Sequence, residues 1–401
     1  MPSGFAFRRE NLAKSIAASL MGGEFPNPDF GSGLFLSAPR RTGKSTFLRE
    51  DLVPALMERG ITTVYVDLWA DRDKDPSLLI ADAIKRALRD AEGVVTKAAR
   101  ATGLNKIGVA GAISFDIDRI GEVDGTTLTG ALGALIERTG KPVALLVDEA
   151  QHALTSDRGL NAMFALKAAR DSLNQRGEKR NLILVFTGSH RDKLANLILK
   201  RDQPFYGAQL TDFPLLGKDY TDAYTDWVNE RLASDNQFAQ EDVFAAFDVL
   251  GRRPEMLQNV IRDIALSQAK SADLKVALNN GAALFRNRVW DDFDREFSAL
   301  TKNQRAVITH LIQKGDEFSP FTEESLAAYT QMTGEPIDAA AAQAALSALR
   351  EKNMVWRSSR GSYVLDDQSM SLWFEHRNKI DNAADQGAHS PQVNSTALPW
   401  S

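Results

Sequence analysis

The sequence of 401 residues predicts an α/β fold: a parallel sheet with helices on both faces, followed by a helical segment and a small mixed domain. Between about residues 30 and 190, short apolar runs rich in β-branched residues alternate with helical patterns. Strands separated by helices of this length favour a parallel sheet covered on both faces. One predicted strand runs into a loop that contains Gly-Lys-Ser, and another ends in Asp-Glu. Both features are typical of sheets that bind a ligand at the carboxyl ends of their strands.

The core of the predicted fold contains four strands and at least three helices. The strands are the apolar runs Gly33–Ser37, Thr63–Leu68, Val143–Val147 and Leu182–Thr187. The helices, in which apolar residues recur three and four apart, include Ser45–Glu58, Pro76–Ala91 and Gly159–Leu173. The segment Lys106–Ile117 breaks this order with an alternating pattern and two glycines, so we expect an inserted strand or hairpin there.

Two further regions follow the core. Between residues 217 and 296 the pattern predicts the four helices Asp219–Ala233, Gln240–Leu250, Pro254–Ser267 and Leu284–Glu296. Three more helices and two β-like stretches then follow as Thr301–Lys314, Thr322–Thr333, Asp338–Lys352, Met354–Ser358 and Gly361–Leu365. Three helices and a hairpin predict a winged-helix-like domain. We therefore divide the chain into a core (1–216), a helical segment (217–296), a winged-helix-like domain (297–380) and a polar tail (381–401) that we expect to be disordered.

Composition excludes several classes of protein. Hydrophobic residues make up 43% and charged residues 25% of the chain, an ordinary balance for a globular protein. No apolar run reaches 18 residues, which predicts that no helix spans a membrane. The absence of cysteine excludes disulfides, Cys-ligated zinc and a thiol nucleophile, and it fits a cytoplasmic protein. The net charge of −5 is not that of a polybasic nucleic-acid binder.

The strongest functional signal is the segment Gly33–Thr46, in which an apolar strand leads through a loop into a helical pattern. This context is that of a phosphate-binding loop, with Ala38 where the usual pattern has its first glycine. Backbone N–H groups of such a loop and of the following helix point at the phosphates, and Gly43 lets the backbone approach them. Lys44 adds a positive charge for the phosphate oxygens, and Ser45 offers a hydroxyl to Mg²⁺.

The candidate residues for binding ATP are therefore the whole loop: Ala38, Pro39, Arg40, Arg41, Thr42, Gly43, Lys44, Ser45 and Thr46. The two arginines of the loop have three alternative positions, facing the solvent, a partner subunit or the phosphates.

A second signal is the apolar strand Pro142–Val147, which ends in Asp148 and Glu149. In a parallel sheet these carboxylates reach the edge at which ligands bind. Asp148 would reach Mg²⁺ directly or through a water molecule, and Glu149 would act as the general base on the attacking water. A solvent-exposed Asp-Glu pair is the alternative, but the phosphate-binding loop favours the functional interpretation.

Two weaker signals complete the candidate site. The strand Asn181–Phe186 is followed by polar residues, so Thr187, Ser189 or Arg191 would face the γ-phosphate; a polar turn is the alternative. A helix preceded by Arg252 and Arg253 begins at Pro254 in the helical segment, and one of these arginines would fold over the nucleotide; a solvated cap is the alternative. The sequence does not separate the two arginines.

These residues together resemble the AAA+ P-loop ATPases, and more narrowly the archaeal-type ATPase group related to STAND NTPases and origin-recognition initiators. The resemblance extends over roughly residues 5–375 and rests on the segments Ala38–Ser45, Tyr65–Trp69, Val143–Glu149, Thr187–Arg191 and Gly251–Pro254. It implies an ATP-switched core in which the helical segment forms a lid. It further implies that Ser189–Arg191 contain sensor 1 and that Arg252 or Arg253 is sensor 2.

The sequence departs from this family at one position. Many relatives have an arginine in the Phe-Tyr-Gly segment after sensor 1, whereas Ala208 follows that segment here. If a subunit supplies an arginine finger, Arg191 or Arg201 must provide it. We therefore count Arg191 with Glu149 as a candidate catalytic residue, and ATP-dependent homo-oligomerisation stays an open alternative.

The winged-helix-like domain is poorly equipped to bind DNA. Residues 297–380 carry 9 basic and 10 acidic side chains, and Arg357 and Arg360 are the obvious phosphate contacts on its hairpin. Because DNA affinity scales with the number of phosphates neutralised, a protein-docking or structural role is favoured. A second basic set could contact nucleic acid or a subunit, although a solvated helix face is favoured: Lys167, Arg170, Arg176, Lys179 and Arg180.

The leading functional hypothesis is an AAA+-type ATP hydrolase that needs Mg²⁺ and acts as a molecular switch on an unidentified protein partner or on DNA, without contact to a membrane. One alternative is a DNA-binding loader or transposition-type regulator. The other is a STAND-like sensor whose ATPase is slow and whose output is assembly.

Overall fold

A computed structural model describes residues 4–22, 30–71, 73–101, 127–174, 180–189, 191–266, 274–359, 362–367 and 369–387. The chain divides into two compact units, Met1–Asn279 and Asn280–Ser401. The finer division of the first unit into a core and a lid stays a prediction. The segment Lys106–Ile117, for which we predicted a strand or hairpin, lies outside the described residues.

The first unit contains a parallel sheet of five strands in the order β2-β3-β4-β1-β5. In chain order the strands are β1 Leu34–Ser37, β2 Thr62–Asp67, β3 Val143–Asp148, β4 Leu182–Gly188 and β5 Leu210–Asp212. The four predicted strands are confirmed. β4 lies between the strand that leads into the phosphate-binding loop and the strand that ends in the acidic pair. Its carboxyl end therefore meets both parts of the candidate site.

Helices cover both faces of the sheet, as predicted. The helices of the first unit are α1 Glu10–Leu20, α2 Lys44–Phe47, α3 Val53–Glu58, α4 Pro76–Ala101, α5 Leu128–Thr139, α6 Asp157–Asn174, α7 Arg191–Leu199, α8 Lys218–Asn229, α9 Gln240–Val249 and α10 Pro254–Leu266. A π-helical segment, Leu48–Leu52, joins α2 to α3.

Successive residues of a strand point to opposite faces, and the two faces of this sheet have separate apolar cores. Phe35, Leu145 and Phe186 pack with residues from α4, α5 and α6 on one face. Leu36 and Leu146 pack with residues from α1, α2 and α3 on the other. Because β3 and β4 are buried along their whole length, their sequences are nearly continuous apolar runs.

The second unit follows the predicted order of three helices and a hairpin. Helix α11, Leu274–Ser298, contains the point at which the chain divides into its two units. The elements after it are α12 Lys302–Lys314, α13 Glu323–Thr333, α14 Ala339–Glu351, β6 Val355–Ser359, β7 Ser362–Leu365 and α15 Ser369–Gly387. β6 and β7 pair antiparallel. The assignment of this arrangement as a winged helix stays a prediction.

Helix α15 corrects the predicted start of the tail. The helix continues to Gly387, so the prediction of disorder is wrong for residues 381–387. This stretch is polar, but it contains no proline, and its alanines favour helix until the glycine ends it. Residues 388–401 lie outside the described part of the chain. Among the described residues, no helix has the length and apolar character needed to cross a membrane.

Candidate nucleotide-binding site

The predicted phosphate-binding loop lies between the end of β1 and the start of α2. Gly43 precedes the helix with a φ of 91°, in the left-handed region that glycine adopts without strain. Arg41 also has a positive φ, of 66°. The Thr42 hydroxyl donates a hydrogen bond to the carbonyl oxygen of Pro39 at 2.8 Å. Thr42 therefore stabilises the turn of the loop backbone through this hydrogen bond.

Lys44 is nearly buried between the loop and the acidic strand. Its Nζ donates to the carbonyl oxygen of Ala38 at 3.4 Å and lies 3.9 Å from Oε1 of Glu149. Burial lowers the pKa of Lys44, while the charges of Glu149 and Asp148 oppose that shift. A partly desolvated cation in this position gains free energy when an anion such as a phosphate group enters the cleft beside it.

An open cleft of about 460 Å³ lies beside the loop. Its lining combines the loop with residues from the ends of β2 and β3: Arg40, Arg41, Gly43, Lys44, Ser45, Thr46, Asp67, Trp69 and Glu149. Of the predicted loop residues, Ala38, Pro39 and Thr42 are absent from this lining. Asp67 and Trp69 were not predicted as site residues, although they lie at the carboxyl end of the predicted strand Thr63–Leu68, where parallel sheets bind ligands.

Trp69 holds one of the two loop arginines. The Arg40 guanidinium lies 4.7 Å from the centroid of the Trp69 ring, within cation–π distance. Trp69 also contacts His152, whose ring meets it edge to face with 4.2 Å between the ring centroids. The structure therefore places Arg40 over the ring of Trp69, in the lining of the cleft, and its predicted contact with the solvent, a partner subunit or the phosphates stays open.

Asp148 is completely buried at the end of β3 and accepts hydrogen bonds from three sides. The Tyr65 hydroxyl donates to Oδ2 at 3.0 Å, the Thr187 hydroxyl donates to Oδ1, and the backbone N–H of Glu149 donates to Oδ1 at 3.0 Å. Burial and the neighbouring Asp148 raise the pKa of Tyr65, so its hydroxyl stays protonated and remains a donor. These donors fix the carboxylate and compensate for its loss of water.

Glu149 turns back towards the end of β4. Its φ of 53° is unusual for a residue other than glycine, and such strained positions cluster at functional sites. Its Oε2 accepts from the Ser189 hydroxyl at 2.7 Å, from the Ser189 N–H at 3.3 Å and from the Gln151 side-chain amide. Its Oε1 lies on the side of Lys44. The carboxylate is thus held through one oxygen, while the residue lines the cleft.

The three polar residues predicted to follow β4 differ in position. Thr187 contacts Asp148, and Ser189 contacts Glu149, because β4 pairs directly with β3. Arg191 instead forms an ion pair with Asp212 at the end of β5. The structure therefore brings Thr187 and Ser189 to the acidic pair, and the catalytic role of Arg191 stays a prediction.

The two arginines before α10 are absent from the lining of the described cleft. Arg252 has a φ of 53° and pairs with Asp248 at 2.7 Å, within the same segment. The loop instead reaches this region through Arg41, whose Nε lies 3.6 Å from Oε2 of Glu255 in α10. The role of Arg252 or Arg253 as sensor 2 stays a prediction.

The described residues contain no group of three or more His, Cys, Asp or Glu side chains that could hold a metal ion. Mg²⁺ prefers oxygen ligands and keeps several waters when phosphates share it with one or two protein groups. Of the two predicted ligands, Ser45 lines the cleft, whereas Asp148 is buried behind that lining, and their role as Mg²⁺ ligands stays a prediction. Asp148 is a fixed carboxylate, and Ser45 lies in the first turn after the loop.

The described members of the second basic set make contacts within the first unit. Lys167 and Arg170 both pair with Asp171, and Arg170 also donates to the Ser32 carbonyl at 2.6 Å. Arg180 donates to the Leu20 carbonyl at 2.9 Å. The other two members, Arg176 and Lys179, lie outside the described residues. These contacts favour a structural role over nucleic-acid binding.

No family model matches this sequence, and no curated protein matches it. Solved structures do. The Walker-type ATPase PABY2304 of Pyrococcus abyssi is 18% identical over 92% of this chain and 96% of its own, with a TM-score of 0.51. The ADP form of the ORC2 protein of Aeropyrum pernix is 14% identical over 97% of both chains, with a TM-score of 0.53. The ADPNP–ADP complexes of the same ORC2 protein give 14% identity, 96% of both chains and a TM-score of 0.51. These similarities confirm the predicted fold class, an α/β fold of the P-loop NTPase type.

Proposed function

We propose that this protein is a Mg²⁺-dependent ATP hydrolase that acts as a molecular switch. The observation that carries the proposal is the convergence of Lys44, Asp148 and Glu149 at one edge of the sheet, with Lys44 and Glu149 lining one cleft. Phosphoryl transfer to water requires a cation that binds the phosphates, a carboxylate that binds a metal ion and a base that accepts a proton. Lys44, Asp148 and Glu149 would provide these three groups in turn. The ADP and ADPNP forms of the structurally similar ORC2 protein support a nucleotide as the ligand.

In the proposed reaction, the loop amides and Lys44 hold the β- and γ-phosphates. Glu149 accepts a proton from water as the water oxygen bonds to the γ-phosphorus, and the bond from that phosphorus to the β–γ bridging oxygen breaks to give ADP and phosphate. Ser45 and Asp148 would hold Mg²⁺, which when bound neutralises charge on the phosphate oxygens. Ser189 contacts the base itself, so it fits the predicted position of sensor 1.

The partner that the switch acts on is proposed to be a protein rather than DNA. The described members of the second basic set, Lys167, Arg170 and Arg180, make contacts within the first unit, and residues 297–380 carry a slight acidic excess. Salt-dependent DNA binding needs several free cations on one surface, so a protein partner fits better.

Phosphate release from ATP in the presence and absence of Mg²⁺ tests the proposed activity. We expect hydrolysis by the parent protein with Mg²⁺ and its loss with a chelator. The matched control is Lys302→Ala, which removes an exposed lysine of the second unit that pairs with Glu335, and this variant should retain the parent rate. Nucleotide binding without hydrolysis, under all conditions including added DNA, would support the passive sensor instead.

A further inference from the structure

Gln151 is a buried polar residue to which the sequence analysis gave no role. It lies two residues after Glu149, in the 3₁₀ turn Ala150–Thr155, and only 3% of its surface is exposed. Its side-chain amide donates to Oε2 of Glu149 and lies 3.4 Å from the hydroxyl oxygen of Ser189. A buried amide in this position needs an explanation, since burial of a polar group costs free energy unless hydrogen bonds replace those to water.

The orientation of this amide follows from its neighbours. The amide nitrogen of Gln151 must face Glu149, because the amide oxygen would repel the carboxylate oxygen if it lay within hydrogen-bonding distance instead. The amide oxygen then points towards Gly188. A β-carbon added to Gly188 would lie only 2.5 Å from this oxygen. Gly188 is thus the position whose missing side chain makes room for Gln151.

We infer that Gln151 is a positioning residue for the hydrolysis of ATP: with Ser189, it holds one oxygen of Glu149 so that the other is presented to the cleft. The inference rests on the proposed function, because it concerns the base of that reaction. Three donors meet Oε2, whereas Oε1 lies on the side of Lys44 and the phosphate-binding loop. Oε1 is therefore the oxygen that takes the proton from water.

A positioning residue is needed because a glutamate side chain can adopt many conformations. Glutamate has three side-chain torsions, each with several accessible wells or a broad range, and only a few combinations direct a carboxylate oxygen at a given point. A donor pair that fixes one oxygen removes most of these conformations before ATP binds. Misplacement of a reacting group by about 1 Å costs on the order of 100-fold in rate, so the loss of one donor should be visible in kinetics.

The test is Gln151→Leu, which keeps a side chain of similar size and removes the amide. Single-turnover hydrolysis should slow by about 10- to 100-fold, while the dissociation constant of ATP stays unchanged. Gln343→Leu is the matched control, since Gln343 makes the same kind of contact, with Ser347 at 3.2 Å, on the exposed surface of the second unit. This control should retain the parent rate.

A double variant separates positioning from damage to the fold. If Gln151 acts through Glu149, then Gln151→Leu should have no further effect on the residual rate of Glu149→Gln. A further slowing by the same factor would overturn the inference, and so would a parent-like rate in Gln151→Leu. If the parent protein itself does not hydrolyse ATP, the proposed function is overturned, and this inference with it. That result is distinguishable, because the two outcomes above both require a parent that hydrolyses ATP.

A second variant covers the case in which Gln151→Leu does not fold. Gly188→Ala keeps Gln151 but places a methyl group 2.5 Å from its amide oxygen and 3.2 Å from the side chain of Leu194, so the amide must shift from its contact with Glu149. We expect the same selective loss of rate with unchanged ATP affinity. A parent-like rate in Gly188→Ala would contradict the role proposed for Gln151.

Discussion

Substituting Glu149 by glutamine tests the proposed chemistry most directly. The amide keeps the shape of the side chain, and its oxygen can still accept the hydrogen bonds that Ser189 and Gln151 donate to Oε2. The amide nitrogen then takes the place of Oε1, on the side of Lys44. The variant therefore keeps its fold and loses only the negative charge and the ability to accept a proton.

The magnitude follows from two terms. Loss of a general base typically slows the chemical step by roughly 10²- to 10⁴-fold. The charge change acts on binding: Lys44 and Glu149 are 3.9 Å apart, which corresponds to a Coulomb attraction of about 4 kcal/mol at an effective dielectric constant of about 20, before desolvation is subtracted. Glutamine removes this competition for the lysine and also removes a negative charge beside the phosphates. We therefore expect ATP affinity equal to or higher than that of the parent.

The assay pairs calorimetric titration of ATP with single-turnover hydrolysis at saturating nucleotide. Size measurement with ATP present shows whether the variant accumulates in an assembly that the parent leaves after hydrolysis. An unchanged single-turnover rate would refute Glu149 as the base. Weaker ATP binding, by contrast, would refute the geometry in which Glu149 competes with phosphates for Lys44.

Three further predictions follow from other contacts. Lys44→Ala should weaken ATP binding by about 10-fold or more, because a charge-assisted contact to phosphate is lost, and calorimetry measures this. Tyr65→Phe should raise the Mg²⁺ concentration needed for half-maximal hydrolysis by about 10-fold, because the carboxylate of Asp148 loses a fixed donor; a Mg²⁺ titration of the rate checks it. Burial lowers the pKa of His310, which contacts Ser325, below its usual 6.5, so the unfolded chain binds the proton first. Unfolding by urea should therefore need less denaturant as the pH falls from about 7 through 6.5 towards the lower folded pKa, and His310→Asn should flatten this dependence.

The sheet could be predicted where its strands are buried on both faces. β3 and β4 are continuous apolar runs because helices cover them, and their polar carboxyl ends identified the acidic pair and its neighbours. β5 was missed because it has three residues that are partly or fully exposed, so its pattern is too short to separate from a loop. The ion pair of Arg191 with Asp212 depends on that strand, and it could not be predicted without it.

Helix α5 shows a signal that the sequence analysis overlooked. Thr127 caps it by accepting from the N–H of Gly130 at 3.1 Å, and Gly140 ends it with a φ of 60°. Both are common features of helix ends. The two glycines within the helix lower its intrinsic propensity, and burial of its leucines against the sheet outweighs that cost.

The position of β4 explains why the site needs little movement to form. In addition to donors from their own segment, the N–H of Glu149 and the amide of Gln151, the two carboxylates at the end of β3 have donors from neighbouring strands. Tyr65 of β2 and Thr187 of β4 donate to Asp148, and Ser189, directly after β4, donates to Glu149. Because these donors belong to strands of one buried sheet, their positions are set by folding and not by the ligand. In the proposed reaction, groups fixed in this way would need no reorganisation when charge develops on the transferred phosphate, and such preorganisation is commonly the largest single contribution to catalysis. The cation of Lys44 lies beside the other oxygen of Glu149, with 3.9 Å between Nζ and Oε1, so in the proposed reaction the phosphates would replace Glu149 as the partner of this lysine.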